Sequence, residues 1–190
     1  MRPADFSAAV LAGGYSTRMG RDKAGLKLGG KTLIELQTEK LLSLGIRDVM
    51  LSGYEGRVRE TRQIPDLIPH RGPLSGLHAC LQAAEQSACL VLSVDVPLVP
   101  AWILRKLLES YRGGITVLTH GERREPLIAV YDCALCAEAE RILQSGKAAM
   151  MKLLDAVPVT EVPYDGDEEL LLNCNTPEDY ERIVTRWNTF

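Results

Sequence analysis

Val10-Leu-Ala-Gly-Gly-Tyr-Ser-Thr-Arg-Met-Gly-Arg-Asp-Lys23 is the stretch on which the rest of the chain is organised. A short apolar run ends in Gly13 and Gly14. Hydroxyls, two arginines, an aspartate and a lysine follow with little bulk between them. Glycines permit φ > 0 and leave no Cβ in the way of a ligand. Successive backbone N–H groups can then point at one anion, and Arg18 and Lys23 add fixed positive charge. The stretch reads as a loop that grips a nucleoside triphosphate. It is neither a Gly-x-x-x-x-Gly-Lys-Ser/Thr loop nor the Gly-x-Gly-x-x-Gly dinucleotide fingerprint, because neither pattern occurs after the first strand.

The elements around it alternate. Ala8 to Leu11 reads as a buried strand feeding the loop. Lys31 to Leu44 has apolar residues close to helical period, and Gly45 stops it. Asp48 to Leu51 reads as a second strand, so the first fifty residues form a β-loop-α-β unit. Gly53 to Arg71 is polar and irregular, with extended segments around Ile64-Pro-Asp-Leu-Ile-Pro69. Gly72-Pro-Leu-Ser-Gly76 opens a helix running to about Glu85, with Pro73 in the first turn, where its missing N–H costs nothing. Gly76 reads either as close helix–strand packing or as room for a ligand at the positive helix end.

Cys89-Leu-Val-Leu-Ser-Val94 is almost wholly apolar, as a central parallel strand covered on both faces should be. It ends at Asp95. A carboxylate at the carboxyl end of a central strand stands where open α/β sheets bind ligands, which favours metal binding over a turn cap. A helix over Ala101 to Tyr111 follows, then a strand over Gly114 to Thr119. His120 to Pro126 reads as a charged turn and Leu127 to Tyr131 as the returning strand. Helices are predicted over Asp132 to Gln144 and Lys147 to Leu154, and a late exposed strand over Val157 to Pro163. Asp165 to Glu169 reads as a solvated acidic loop. Thr176, Pro177, Glu178 and Asp179 have the chemistry of a capped helix start. Asn173 and Asn175 precede that cap and can face the same cleft as Asp95. The fold class is α/β: a single three-layer α/β/α domain with a mostly parallel, Rossmann-like sheet and inserted β elements.

Composition narrows the chemistry. The chain has 190 residues, 46% of them hydrophobic and 25% charged, as in ordinary globular proteins. A net charge of -3 argues against general nucleic-acid binding. No segment approaches the roughly 20 apolar residues of a membrane span. The N-terminus lacks the apolar core of a signal peptide. Five irregularly spaced cysteines fit a reducing cytoplasm better than a disulfide framework. Cys133-Ala-Leu-Cys136 has no second pair to complete a zinc site and reads as two buried or half-buried helix thiols.

Leu11-Ala-Gly-Gly-x-Ser-x-Arg-Met-Gly-x-Asp-Lys23 resembles the signature of nucleotidyltransferases with a glycosyltransferase-A-like fold. More narrowly, the chain resembles the molybdenum cofactor guanylyltransferase family. Gly72-Pro-Leu-Ser-Gly76, the strand ending in Asp95, Glu125-Pro126-Leu127 and Asn173-Cys-Asn-Thr-Pro-Glu-Asp179 resemble family motifs in family order. The resemblance implies transfer of GMP from GTP to the terminal phosphate of molybdenum-molybdopterin, releasing pyrophosphate, with Mg2+ as cofactor. It implies catalytic roles for Arg18, Lys23 and Asp95, with Asp95 and Asn175 at the metal. Nucleotide contacts are implied for Leu11, Ala12, Gly13, Gly14, Lys23, Ser52, Asp66, Gly72, Pro73 and Asp95. Ser52 or Gly53 stands where the family commonly has an asparagine. Acceptor contacts are implied for Arg124, Glu125, Pro126, Lys147 and Asn173. The nucleotide half would span about 1–100 and the acceptor half about 101–190. Molybdopterin-synthesis proteins, molybdoenzymes or their chaperones would be protein partners. Two alternatives stay open: a related cytidylyl- or sugar-phosphate nucleotidyltransferase, and a non-catalytic GTP-binding partner in cofactor maturation.

Overall fold

The computed structural model describes residues 1–13, 23–69, 71–146 and 149–189; Gly14, Arg18 and Lys147 therefore lie outside the described residues. In chain order these form β1 (Ser7–Leu11), a small hairpin of β2 (Lys27–Leu28) and β3 (Lys31–Thr32), α1 (Leu33–Ser43), β4 (Asp48–Ser52) and β5 (Arg62–Ile64). Then come α2 (Pro73–Ala83), β6 (Ala88–Ser93), α3 (Ala101–Ser110), β7 (Ile115–His120) and β8 (Arg123–Asp132). The chain ends with α4 (Cys136–Gln144), α5 (Met150–Ala156), β9 (Val159–Pro163) and α6 (Pro177–Trp187).

The larger sheet has the order β5-β4-β1-β6-β8-β7-β9. β8 pairs antiparallel with both β6 and β7, while the other pairings are parallel. The period-2 alternation of side chains splits the core between two faces. Ala8, Val10, Leu90 and Leu92 pack toward one cluster that includes Ile34, Leu104 and Ile183 of α1, α3 and α6. Ala9, Leu11, Cys89 and Val91 pack toward the other, with Leu77, Ile142 and Leu153 of α2, α4 and α5. This is the three-layer, mostly parallel arrangement expected from the apolar runs. Each fully buried leucine in these layers contributes about 1.5–3 kcal/mol.

Several local readings are corrected. β5 is absent from the sequence reading because its residues, on the sheet edge, are exposed or half-buried and show no apolar alternation. Arg123 to Pro126 belong to β8, not to a turn; the turn is only Gly121 and Glu122. Pro126 is accommodated because pairing to β7 jumps from Val117–Ala129 to Leu118–Glu125, leaving 126–128 out of that register. The predicted helix over Asp132 to Gln144 is broken into a 3-10 turn, Cys133–Leu135, followed by α4. Asp132 Oδ1 caps that turn by accepting from the Ala134 N–H at 2.9 Å. α5 spans Met150–Ala156 after an extended Ala149, and Lys147, where the sequence predicts its start, lies outside the described residues. Lys31 and Thr32 form β3 rather than the first turn of α1, and Thr32 caps α1 with Glu35 in a reciprocal capping box.

The acidic run is not simply solvated. Asp167 pairs with Arg186, Glu169 lies 3.7 Å from Arg182 and Glu168 lies 3.8 Å from Arg123, so α6 and the hairpin balance its charge. Cys133 and Cys136 are half-buried and free, as read from the sequence. Burial pushes the Cys133 thiol up to about 11.

At the amino-terminal end of the sheet, one carboxylate ties four segments together. Asp48 Oδ2 accepts from the Ser7 hydroxyl at 2.5 Å and the Glu85 N–H at 3.0 Å. Its Oδ1 accepts from Arg62 at 2.6 and 3.0 Å. Burial alone would raise the Asp48 pKa, but the Ser7, Glu85 and Arg62 bonds outweigh it and hold the carboxyl below the ordinary range. The ionised form is therefore favoured by folding. Its contribution is present above the ordinary aspartate pKa and is lost as pH falls through the depressed folded value. Asp48→Asn should destabilise by about 3 kcal/mol at pH 7, because it leaves Arg62 and Ser7 mispaired. Urea unfolding at pH 7 and pH 3 should show the deficit shrinking on acidification; an unchanged deficit would contradict this account.

Candidate active site

Three parallel strands end in a row. Leu11 is the register partner of Ser52 on β4 and of Ser93 on β6. Just beyond, the Ala12 N–H donates to the Ser52 carbonyl at 2.9 Å and the Val94 N–H to the Leu11 carbonyl at 3.0 Å. Backbones crowd here. A Cβ on Gly53, which has φ +73°, would lie 2.2 Å from Gly13 Cα, and a Cβ on Gly76 would lie 2.4 Å from Ser52 Oγ. Gly53 is needed so that the β1 and β4 loops can meet backbone to backbone, while Gly76 leaves room for the Ser52 hydroxyl against the first turn of α2.

A cleft of about 890 Å³ opens at this edge, lined by Leu11, Gly13, Ser52, Asp66, Gly72 and Pro73 among others. These are six of the nucleotide contacts expected from the sequence. Ser52 Oγ donates to Asp66 Oδ1 at 3.2 Å, which ties the end of β4 to the loop after β5. Gly72, at φ +70°, is the N-cap of α2 and offers no side-chain cap. The first N–H groups of the helix, with their partial positive charge, are thus left without a side-chain cap at the cleft, a position suited to an anion or a polar base edge. Tyr54, Glu55, Gln63, Ile64 and Pro65 also line the cleft. Sequence reading left these out, because they come from the polar stretch around β5.

Beside the cleft, Lys23 meets the carboxyl end of β6. Its Nζ donates to Asn175 Oδ1 at 2.8 Å and stands 3.3 Å from Asp95 Oδ2. These residues come from three distant parts of the chain. The Cys174 N–H donates to the Asp95 carbonyl at 2.7 Å, which docks the approach to α6 against β6. Thr176 then caps α6, and Asp179 accepts from the N–H groups of Asn175 and Thr176 at 3.1 and 2.9 Å. Burial raises the Asp95 pKa, and the Lys23 ammonium offsets part of that rise. Among the described residues, two hard oxygen donors, one anionic, thus converge on the Lys23 ammonium. That donor set fits Mg2+, which takes one or two protein oxygens and leaves the rest to phosphates and water.

The second half of the sheet brings up a further group. Because β8 runs backwards, its first residues lie at the same sheet end as Asp95: Ile128 pairs with Leu92, one residue before Ser93. Pro126 is locked there by the Tyr131 hydroxyl, which donates to its carbonyl at 2.6 Å. Arg124 is engaged by Glu161 of β9 at 2.7 Å and Glu125 by Arg123, so both are already ion-paired. Asn173 is half-buried, and its carbonyl accepts from the Asn175 N–H at 3.1 Å.

Comparison with known proteins places this arrangement. Residues 8–160 match the model of the MobA-like NTP transferase domain. A probable molybdenum cofactor guanylyltransferase of Pelotomaculum thermopropionicum is 34% identical, over 91% of this chain and 89% of that protein. One of Opitutus terrae is 36% identical, over 93% and 94%. The chain belongs to the molybdenum cofactor guanylyltransferase family of MobA-like nucleotidyltransferases.

The crystal structure of molybdopterin-guanine dinucleotide biosynthesis protein A from Archaeoglobus fulgidus superposes with a TM-score of 0.82 at 27% identity, covering 97% of this chain and all of that one. As a nucleotidyltransferase of this family, the enzyme carries the glycine-crowded strand ends, the Lys23–Asp95–Asn175 group and the Ser52–Asp66 pair along one sheet edge. Gly76→Ala tests whether the crowding serves ligand or fold. Alanine is favoured over glycine in a helix by about 1 kcal/mol, and the Ser52 hydroxyl can rotate aside. Thermal stability should therefore change by only a few degrees. Nucleotide affinity should fall about tenfold as the Ser52–Asp66 bond is lost, a change of about 1.4 kcal/mol. Calorimetric titration alongside a melting curve checks both; unchanged affinity would reject the link.

Proposed function

We propose that this enzyme transfers GMP from GTP to the terminal phosphate of molybdenum-molybdopterin, forming the guanine dinucleotide cofactor and pyrophosphate. The observation that carries the reading is the convergence of Lys23, Asp95 and Asn175 beside the glycine-crowded cleft, in a chain of this family. The acceptor phosphate is already largely ionised near neutral pH, so no general base is required. One of its oxygens attacks the α-phosphorus of GTP. A new P–O bond forms, the bond from the α-phosphorus to the bridging oxygen breaks, and pyrophosphate leaves with the electron pair. Such a reaction is driven by positioning and charge neutralisation.

Bound Mg2+ would neutralise charge on the triphosphate and the departing pyrophosphate. Asp95 and Asn175 would hold it, and Lys23 would turn from them to the phosphates. Arg18, from the same loop, would add a second cation there. Leu11, Ala12, Gly13 and Gly14 would bring backbone against the nucleotide, with Asp66 and the start of α2 at Gly72 and Pro73 reading the base. Arg124, Glu125, Pro126, Lys147 and Asn173 would form the acceptor side. Residues 1–100 would then be mainly the nucleotide half, and 101–190 the acceptor half, of one domain. Five free thiols support residence in a reducing cytoplasm, where molybdopterin-synthesis proteins and molybdoenzymes or their chaperones would supply and receive the cofactor.

Pyrophosphate release should be measured with molybdenum-molybdopterin, Mg2+ and each nucleoside triphosphate in turn. Turnover with GTP alone is expected; a preference for CTP would overturn the assignment. Asp95→Asn should fold and lose turnover by on the order of 10²-fold or more. Acid sensitivity follows from the same residue. Only the ionised carboxylate binds a cation well, and burial raises the Asp95 pKa. The Mg2+ needed for half-maximal rate should therefore begin to climb at a higher pH than an exposed aspartate would give. A midpoint that stays flat down to the ordinary carboxylate range would count against Asp95 as ligand.

A further inference from the structure

Gln37 is an amide in an apolar stripe. Leu33, Ile34 and Leu41 flank it on the buried face of α1, and Gln37 itself is fully buried. A leucine or methionine would fill the same space without needing partners. Gln37 instead uses its hydrogen-bonding capacity on one target. Its Nε2 donates to the Ser93 carbonyl at 2.8 Å and the Val96 carbonyl at 3.0 Å. Its Oε1 accepts from Lys40 Nζ at 2.8 Å, and that ammonium also donates to the Pro97 carbonyl. Three carbonyls of the turn on either side of Asp95 are thus gripped from α1. Burial pushes Lys40 down to about 7, and the partners it meets here are an amide and a carbonyl oxygen. The buried Gln37 amide has its donors spent on these carbonyls, and without them its burial would be costly.

The other end of α1 is tied to Lys23. The Leu26 N–H donates to the Lys23 carbonyl at 3.0 Å, and the Leu33 N–H, at the first turn of α1, donates to the Leu26 carbonyl at 2.8 Å. One rigid helix therefore connects the segment bearing Lys23 to the turn bearing Asp95. We propose that Gln37, braced by Lys40, is a positioning residue: through α1 it sets where the Asp95 carboxylate stands relative to Lys23, and so how well the site holds a metal–triphosphate. This rests on the reading of Asp95 as a ligand of that metal.

The test is a fluorescent GTP analogue bound to the full chain with and without Mn2+, alongside thermal melts. The variants are Gln37→Glu, Gln37→Met, Lys40→Met, Lys40→Arg and Asp95→Asn. Gln37→Glu keeps the shape and the acceptor but loses the two donors. The factor by which Mn2+ tightens binding should fall about tenfold or more in both Gln37 variants, the scale seen when groups that orient metal ligands are lost. Metal-free affinity should stay at the wild-type value. Lys40→Met, at a half-buried position, should lose several-fold and serves if the Gln37 variants do not fold; Lys40→Arg, which keeps donors, should recover most of the loss. Folded Gln37 and Lys40→Met variants with a wild-type Mn2+ factor would overturn the inference. So would equal losses with and without metal, which would mark a general structural effect. If Asp95→Asn also leaves the Mn2+ factor unchanged, the metal reading itself has failed. If Asp95→Asn loses it and the Gln37 and Lys40 variants do not, only the role of Gln37 has failed.

Discussion

Gly53 approaches Gly13 so closely that a single added methyl carbon would sit 2.2 Å from its Cα. That contact is possible because β1 and β4 run parallel in register and end together at Leu11 and Ser52. With β6 ending alongside at Ser93, three chains must turn away from one line. Parallel strands end by sending their chains to either face, and a crevice is left between the departing loops. The cleft, the exposed N-terminus of α2 and the placement of Asp95 are all consequences of that shared edge.

Charge at the edge is arranged against the preference of a protein interior. Asp95 is partly buried, and desolvation works against its ionised form. Lys23 compensates, and Asn175 adds a neutral oxygen to the same ammonium. The opposite end of the sheet makes the contrast. Asp48 is also buried, yet it is saturated by Ser7, Glu85 and Arg62 and held fully ionised for the sake of the fold. One carboxylate is closed off by three partners, while the other, among the described residues, is paired with Lys23.

Much of this was legible from residue pattern. The apolar runs marked β1, β4 and β6 as strands, with β6 central, although β6 is parallel only to β1 and antiparallel to β8; Thr176-Pro177-Glu178-Asp179 marked the start of α6. Ser52, Asp66, Gly72 and Pro73, scattered along the chain but picked out by local motif, line one cleft. β5 was not legible, since a three-residue edge strand leaves no alternation to detect. Pro126 argued for a turn and was overridden by a register shift that only the pairing of β7 with β8 reveals. The role of Gln37 was not legible, because a polar residue at a helical core position carries no local sign of the carbonyls it will meet.

The sequence by itself determined which segments could be strands and helices and which family the chain joins. These follow from local pattern: apolar period, glycine placement and the residue types of short motifs. The tertiary structure alone decided that Lys23, Asp95 and Asn175 share one point, that Arg124 is already paired with Glu161, and that α1 braces the turn holding Asp95. Such juxtapositions depend on strand order and register. Those are set by the sum of many long-range packing contacts, and no local stretch of the chain encodes them.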